Sequence, residues 1–112
     1  MAMDKKTHEK YAARTRIIKA MAHPVRLCMV DALSSGEHCV CELTGLVGMD
    51  TSTVSKHLSV LKNAGIVRDE KRGLNVYYTL RVPCVMKFFG CVDSVLSELV
   101  REQMEWALEG EK

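Results

Sequence analysis

Apolar residues recur at helical spacing along most of the chain and give way to β-prone runs in one short stretch. The pattern predicts five helices, at about residues 8–22, from Pro24 to near Ser34, at 41–47, at 51–64 and at about 84–109. Between the fourth and fifth helices, two β-prone runs flank Gly73 and predict a hairpin. Since little of the chain is left for strands, the expected fold class is mainly α with a small β-hairpin.

The fourth predicted helix has the most regular pattern. Its apolar residues fall at i, i+4 and i+7: Val54, Leu58 and Leu61. Asp50 or Thr51 can cap its start. The short helix at 41–47, a turn containing Gly48 and this helix have the layout of a helix-turn-helix, in which the second helix enters the major groove of DNA.

The face of this helix opposite Val54 carries small polar and basic side chains: Ser52, Ser55, Lys56, Ser59 and Asn63. Hydroxyls and amides can bond base edges or phosphates, and a lysine can neutralise a phosphate. At the hairpin tip, Lys71 and Arg72 can contact the DNA backbone or minor groove. His57 lies at the edge of the buried face, where a DNA contact and a packed histidine are equally compatible. For the polar face opposite Val54, a merely solvated helix surface remains the alternative.

The last predicted helix carries a long apolar stripe: Val85, Phe88, Val92, Val95, Leu96, Leu99 and Trp106. At about 1.5 Å per residue it spans nearly 40 Å, which exceeds a domain of this length. Such a stripe needs another surface, most simply the same helix of a second subunit in a twofold dimer.

Composition bounds the class of protein. The chain has 112 residues, of which 47% are hydrophobic and 27% charged, which indicates one folded domain covering 1–112 and excludes disorder. We find no secretory signal and no apolar run long enough to span a membrane, so we expect a cytoplasmic protein without a membrane partner. In that compartment thiols stay reduced, and five cysteines are an odd number, so we expect free thiols.

Charge is unevenly distributed along the chain. Residues 51–80 carry five basic and two acidic side chains, whereas residues 36–50 carry three acidic and no basic ones. The neighbouring 81–112 are also net acidic. A basic segment between acidic ones indicates an anionic partner that meets residues 51–80.

Four stretches carry a family resemblance: MAHPVRL at 21–27, CVCEL at 39–43, STVSKHLSVLKNAGIV at 52–67 and VYY at 76–78. Together they resemble the ArsR/SmtB family of bacterial winged-helix repressors, over roughly residues 15–82. The resemblance implies a winged helix-turn-helix with four helices, a β-wing and a fifth helix, and a homodimer formed through the first and last helices. It also implies binding to an inverted repeat in double-stranded operator DNA and release by an inducer. Thr53, within the matching run, joins the predicted DNA contacts.

The cysteines suggest the inducer. No histidine follows His57, which argues against a histidine-containing zinc site on the last helix and favours soft, thiophilic ions. Cys39 and Cys41 are similar to the C-V-C of the family branch that senses arsenite, antimonite, cadmium or lead. At a helix start the dipole favours thiolate, and side chains at i and i+2 can converge there. Two packed thiols without a ligand are the alternative.

Two departures from the family pattern bear on the ligand set. Thr44 stands where arsenic-sensing members often have a further cysteine, and no cysteine precedes Cys28. We interpret Cys28 as a core residue. Cys84 and Cys91 can join a ligand set across the dimer, act as a redox or persulfide pair, or simply pack.

The resulting prediction is an inducible repressor released by arsenite, antimonite or a soft divalent metal (Cd, Pb) at Cys39 and Cys41, with no organic cofactor and no enzymatic activity. The alternative on the same scaffold is release by thiol oxidation or persulfidation. A small thiol enzyme is disfavoured because C-x-x-C and a strand-helix-strand pattern are missing. A dimeric interaction module without DNA binding is disfavoured by the basic segment.

Overall fold

The computed structural model describes residues 2–110, so Met1, Glu111 and Lys112 of the predicted domain 1–112 lie outside the described residues. Within that range the elements in chain order are α1 (Lys5–Met21), α2 (Pro24–Leu33), β1 (His38–Cys39), α3 (Val40–Val47), α4 (Thr51–Asn63), β2 (Val67–Arg72), β3 (Asn75–Leu80) and α5 (Val85–Gly110). The predicted fold class, mainly α with a small β-hairpin, is confirmed. The five helices and the hairpin begin and end within a few residues of their predicted bounds.

Polar side chains set the starts of two helices that the sequence pattern located only approximately. Asp50 accepts a hydrogen bond from the backbone N–H of Thr53 at 3.3 Å. His23 caps α2, because its Nδ1 accepts from the N–H of Val25 at 3.1 Å. Each bond satisfies a donor that the first helical turn leaves without a partner. Of the two caps proposed for α4, Asp50 or Thr51, the structure has Asp50.

The core lies where α2, α3, α4 and the hairpin meet. Its largest fully buried side chains are Met29, Val30, Leu43, Val54, Leu58, Leu61, Ile66 and Val67. The expectation that Cys28 belongs to this core is wrong, since Cys28 is exposed. In α2 the buried residues are Met29, Val30 and Leu33. Consecutive residues of a helix point about 100° apart. Since Met29 and Val30 face the core, the preceding residue Cys28 points outward.

The hairpin is part of a three-stranded antiparallel sheet with the order β1-β3-β2. β2 pairs with β3 from Val67↔Leu80 to Arg72↔Asn75, as the hairpin prediction requires. β1, which has only two residues, was not predicted from the sequence. It pairs Cys39 with Tyr77, and it therefore fixes the cysteine segment to the strand that forms one side of the wing.

By their internal contacts the residues form two compact units, Met1–Val82 and Pro83–Lys112. The second unit contains α5, a single helix whose described residues include none that is buried. None of the helices within residues 2–110 combines the length and the apolar character needed to cross a membrane.

Candidate DNA-binding surface and cysteine site

α3 and α4 are joined by a tight turn at Gly48. The N–H of Gly48 donates to the carbonyl of Thr44 at 3.0 Å, which closes the last turn of α3. Its φ of 70° is in the left-handed region that glycine adopts without strain. Two residues later Asp50 starts α4, so the helix-turn-helix layout predicted from the sequence is present.

One face of α4 is anchored in the core. Val54, Leu58 and Leu61 are each 0% exposed. Burying a side chain of this size stabilises the fold by about 1.5–3 kcal/mol. This face therefore fixes the rotation of α4 about its axis, and with it the direction in which the opposite face points.

The opposite face holds the predicted DNA contacts. Ser52, Lys56, Ser59 and Asn63 are exposed, while Thr53 and Ser55 are half-buried. Lys56 forms no salt bridge with any residue of the range 2–110. By contrast, Lys62 Nζ lies 2.9 Å from Asp69 Oδ2, which joins the end of α4 to β2 and raises the pKa of Lys62. Within residues 2–110, Lys56 is thus free of an ion pair, whereas Lys62 of the same helix is paired.

His57 points toward α2. Its Nδ1 lies 3.2 Å from Arg26 NH1, and its ring centre is 4.5 Å from that of His23. Since arginine only donates, His57 Nδ1 is the acceptor in this pair. Burial, followed by the charges of His23 and Arg26, lowers the pKa of His57. From the sequence, His57 was compatible with a DNA contact and with a packed residue. In the structure its side chain contacts Arg26 and His23.

At the wing, the two predicted cations differ. Lys71 is exposed and makes no salt bridge within the described part of the chain. Arg72 donates to both carboxylate oxygens of Glu37, at 2.7 and 3.0 Å, and to Glu70 at 3.1 Å. Its guanidinium also lies over the Tyr77 ring, 4.8 Å from the centre. The Arg72 bond holds the pKa of Glu37 below its usual value.

The cysteine segment forms the start of α3. Cys39 is the N-cap, and its Sγ accepts from the N–H of Glu42 at 3.4 Å. Glu42 reciprocates, because its Oε1 accepts from the N–H of Cys39 at 3.3 Å, and its Oε2 lies 3.0 Å from His38 Nδ1. The His38 bond, followed by the Cys39 bond, lowers the pKa of Glu42. The helix-start position predicted for this pair of cysteines is therefore correct.

Cys39 and Cys41 are joined by a disulfide in this structure. The expectation of five free thiols is thus wrong for these two, and direct ligation of a metal by them requires their reduction first. Cys39 has extended backbone angles, φ −79° and ψ 164°, so side chains at i and i+2 converge across a Cα–Cα distance of 5.4 Å. This is the convergence that the sequence led us to expect, and it brings the sulfurs within bonding reach of each other.

Thr44, where a further cysteine was sought, forms a bond inside α3. Its hydroxyl donates to the carbonyl of Val40 at 2.7 Å. Among residues 2–110, no group of three or more His, Cys, Asp or Glu side chains is arranged to hold a metal ion. Cys28, Cys84 and Cys91 are free and exposed. Cys84 lies just before the first residue of α5, whereas the sequence pattern placed it inside the helix.

The sequence interpretation missed the side chains that hold these groups in place. Glu37 and Glu70 bind Arg72, and Arg26 binds His57. The acidic character of 36–50 next to a basic segment was the available signal for Glu37. Arg26 lies in a stretch already singled out, but its partner is 31 positions away, which local spacing does not reveal.

Comparisons with known proteins agree with this geometry. The arsR family of bacterial regulatory proteins matches residues 23–69, which contain α2, α3, α4 and the start of β2. The arsenic resistance transcriptional regulator ArsR1 of Pseudomonas putida is 36% identical over 91 residues, which are 80% of this chain and 68% of that protein.

Two solved structures share the fold. NolR from Sinorhizobium fredii has a TM-score of 0.77 and 29% identity, over 85% of this chain and 95% of that chain. The homodimeric winged helix-turn-helix DNA-binding domain Mb0332 from Mycobacterium bovis has a TM-score of 0.74 and 29% identity, over 91% of this chain and 95% of that chain. The winged helix-turn-helix predicted from the sequence is confirmed.

Proposed function

The chain belongs to the ArsR family of bacterial regulatory proteins, and we propose that it is a repressor that leaves its operator when Cys39 and Cys41 become bridged. In this proposal the unbridged dithiol form binds double-stranded DNA as a homodimer. Arsenite, antimonite or a soft divalent ion such as cadmium or lead is the bridging inducer. The observation that carries the proposal is the convergence of the two cysteines at the start of α3, which packs against α4.

The exposed face of α4 supports the DNA-binding part. Ser52, Ser59 and Asn63 supply neutral donors and acceptors for base edges, and Lys56 supplies an unpaired cation for a phosphate. Thr53 and Ser55 lie beside them on the same helix. Lys71 extends the basic surface onto the wing, where it can reach the next phosphates or the minor groove.

Exposed apolar side chains support the homodimer. On α5 these include Val92, Leu96 and Leu99, and on α1 they include Ile17 and Ile18. Exposed apolar faces of this extent mark protein interfaces. A twofold dimer also gives two α4 helices for the two halves of an inverted repeat.

The bridging step needs no change of oxidation state when the inducer is arsenite. As(OH)3 exchanges two hydroxyl groups for the two cysteine sulfurs, and the two displaced hydroxyls leave as water with the thiol protons. Cys39 and Cys41 are close enough to share one ion once they are reduced. Because Cys39 is the N-cap of α3, a change at its sulfur alters the start of the helix that positions α4.

A second candidate is release by oxidation, which the Cys39–Cys41 disulfide itself favours. Two thiols lose two protons and two electrons to form one S–S bond, and hydrogen peroxide taking them up becomes two waters. Both candidates convert the same pair from open to bridged. They differ in whether an ion or a bond joins the sulfurs.

A DNA-binding titration tests the proposal. The probe is a duplex selected by the reduced protein from a random-sequence pool, with a scrambled duplex as the non-specific reference. We expect arsenite to weaken binding of the selected duplex by about tenfold or more. Antimonite, cadmium, lead and zinc are compared in the same titration. Unchanged affinity with arsenite and with cadmium would make the ion-responsive proposal wrong.

Cysteine variants locate the site. Cys39→Ser and Cys41→Ser are expected to bind DNA and to lose the response, because one remaining sulfur cannot bridge. Cys28→Ser is the matched control, since Cys28 is an exposed thiol outside the pair. In metal-free buffer, peroxide distinguishes the second candidate: DNA release together with a Cys39–Cys41 cross-link found by mass spectrometry selects oxidation.

A further inference from the structure

The wing cation Arg72 is connected to the cysteine segment in two ways. Its guanidinium grips Glu37, which is the residue immediately before β1. It also lies over Tyr77, and Tyr77 is the residue of β3 that pairs with Cys39 of β1. The cysteine segment and Arg72 are thus connected through the Glu37–Arg72 ion pair and through the pairing of Cys39 with Tyr77.

Acidic side chains pair with Arg72. Two carboxylates, those of Glu37 and Glu70, accept three hydrogen bonds from its NH1 and NH2 groups, at 2.7 to 3.1 Å. A carboxylate gripping a guanidinium with two parallel bonds takes the place that a phosphate would take. In this disulfide form Arg72 is therefore engaged by carboxylates, although its side chain is 45% exposed, whereas Lys71 beside it forms no salt bridge within residues 2–110.

We infer that the Glu37–Arg72 pair transmits the state of Cys39 and Cys41 to the wing. When the sulfurs are bridged, the segment 37–41 holds Glu37 against Arg72 and withholds one cation from the DNA backbone. When the sulfurs are open, this segment relaxes, Glu37 moves off and Arg72 binds a phosphate. This inference rests on the proposed function, and it names Glu37 and Arg72 as the positioning residues of that regulation.

The two carboxylates make different predictions. Glu37 directly precedes β1, which ends at Cys39, but Glu70 is on β2, within the wing itself. Glu37→Gln is expected to tighten DNA binding of the bridged form by about threefold and to leave the open form nearly unchanged, which shrinks the difference between the forms. Glu70→Gln, the matched control, is expected to tighten both forms alike and to preserve the difference.

The salt dependence of binding gives a second readout. One additional phosphate contact steepens the slope of log K against log salt by about 0.9. We expect Glu37→Gln in the disulfide form to show this steeper slope, and Arg72→Ala to show the shallow slope in both forms. A disulfide form of Glu37→Gln with the affinity and slope of the unaltered protein overturns the inference.

A measurement without DNA separates this inference from the proposed function. The side-chain Nε–H signal of Arg72 in NMR spectra is expected to differ between the reduced and the peroxide-oxidised protein, and this difference is expected to vanish in Glu37→Gln. If the Arg72 signal changes in this way but the reduced and the oxidised protein bind DNA with the same affinity, the proposed function fails. The coupling between the cysteines and Arg72 then stands. If the signal is the same in both states, the coupling itself is wrong.

Discussion

α4 and α5 are both amphipathic helices, yet their apolar faces have opposite surroundings. In α4, Val54, Leu58 and Leu61 are fully buried. In α5, Val92 is 42% exposed and Leu99 50% exposed. Sequence periodicity locates both faces equally well, but it does not tell what covers them. In α4 it is the polar face that is exposed, whereas in α5 the apolar face is exposed as well.

The largest effect is expected from the buried face of α4. Leu58→Ala removes a fully buried side chain and leaves a cavity, so the free energy of unfolding should fall by about 2–5 kcal/mol in urea denaturation. The control is Ser59→Ala, at the next, exposed position, which should change it by less than about 0.5 kcal/mol. Equal losses in the two variants would contradict the assignment of the faces.

On α5 the corresponding change should affect association. Leu99→Glu places a charge on the exposed apolar stripe, and we expect the dimer dissociation constant to rise by about a hundredfold in analytical ultracentrifugation, with helical content retained. Ser97→Glu adds the same charge on the opposite side of the helix and should leave the dimer intact. A Leu99→Glu protein that remains as dimeric as the control would show that this stripe is not the interface.

The polar face of α4 should respond in DNA binding and not in stability. Lys56→Ala removes an unpaired cation, so we expect roughly fivefold weaker binding and a salt slope shallower by about 0.9. Lys62→Ala removes a cation of the same helix that Asp69 already neutralises, and a smaller change is expected. A larger effect at Lys62 than at Lys56 would contradict our choice of face.

The smallest effect is expected from His57, which lies between the buried and the polar face of α4. Its titration should change the stability of the protein with pH. Its pKa is lowered in the folded protein, so the folded state favours the neutral ring. The stabilisation is therefore present above the unfolded pKa, about 6.5, and is lost as the pH falls through the lower folded value. We expect this loss to lower the Tm of the unaltered protein as the pH falls below about 6.5.

His57→Gln keeps an acceptor for Arg26 without a titrating ring, and it should flatten this part of the profile of Tm against pH. A profile of the same shape in His57→Gln would assign the pH dependence to other groups. Comparing His57→Gln with the unaltered protein thus tests the residue through which α4 contacts α2, rather than the exposed residues of α4.

Much of the fold was predictable because it follows from local rules. The helices, the turn at Gly48 and the hairpin around Gly73 each have a signal within a few residues. β1 was missed because two residues are too few to show any periodicity. The burial of Cys28 was misjudged, since a short apolar run does not show which of its residues face the core, and only the packing of α2 against α3 and α4 decides this.

The site was predictable in its residue types and less so in its pairings. The positions of Cys39 and Cys41 at a helix start followed from the sequence, and so did the exposed face of α4. The bond between Arg72 and Glu37 did not follow from the sequence, because the two residues are 35 positions apart. The bond between Arg26 and His57 likewise depends on how α2 packs against α4. Long-range ion pairs form only where packing brings the two segments together.

The N-cap of α3 has a consequence for how the protein acquires sensitivity. Most helices begin on an oxygen of Ser, Thr, Asp or Asn, which is chemically inert. α3 begins on a sulfur, which is a weak acceptor, and the side chain of Glu42 supplies a second bond at the same end. A reactive atom thus accepts one of the two bonds that close the start of α3. Because Cys39 is also only 5% exposed, chemistry at this one atom acts on the start of α3 and on the core at the same time.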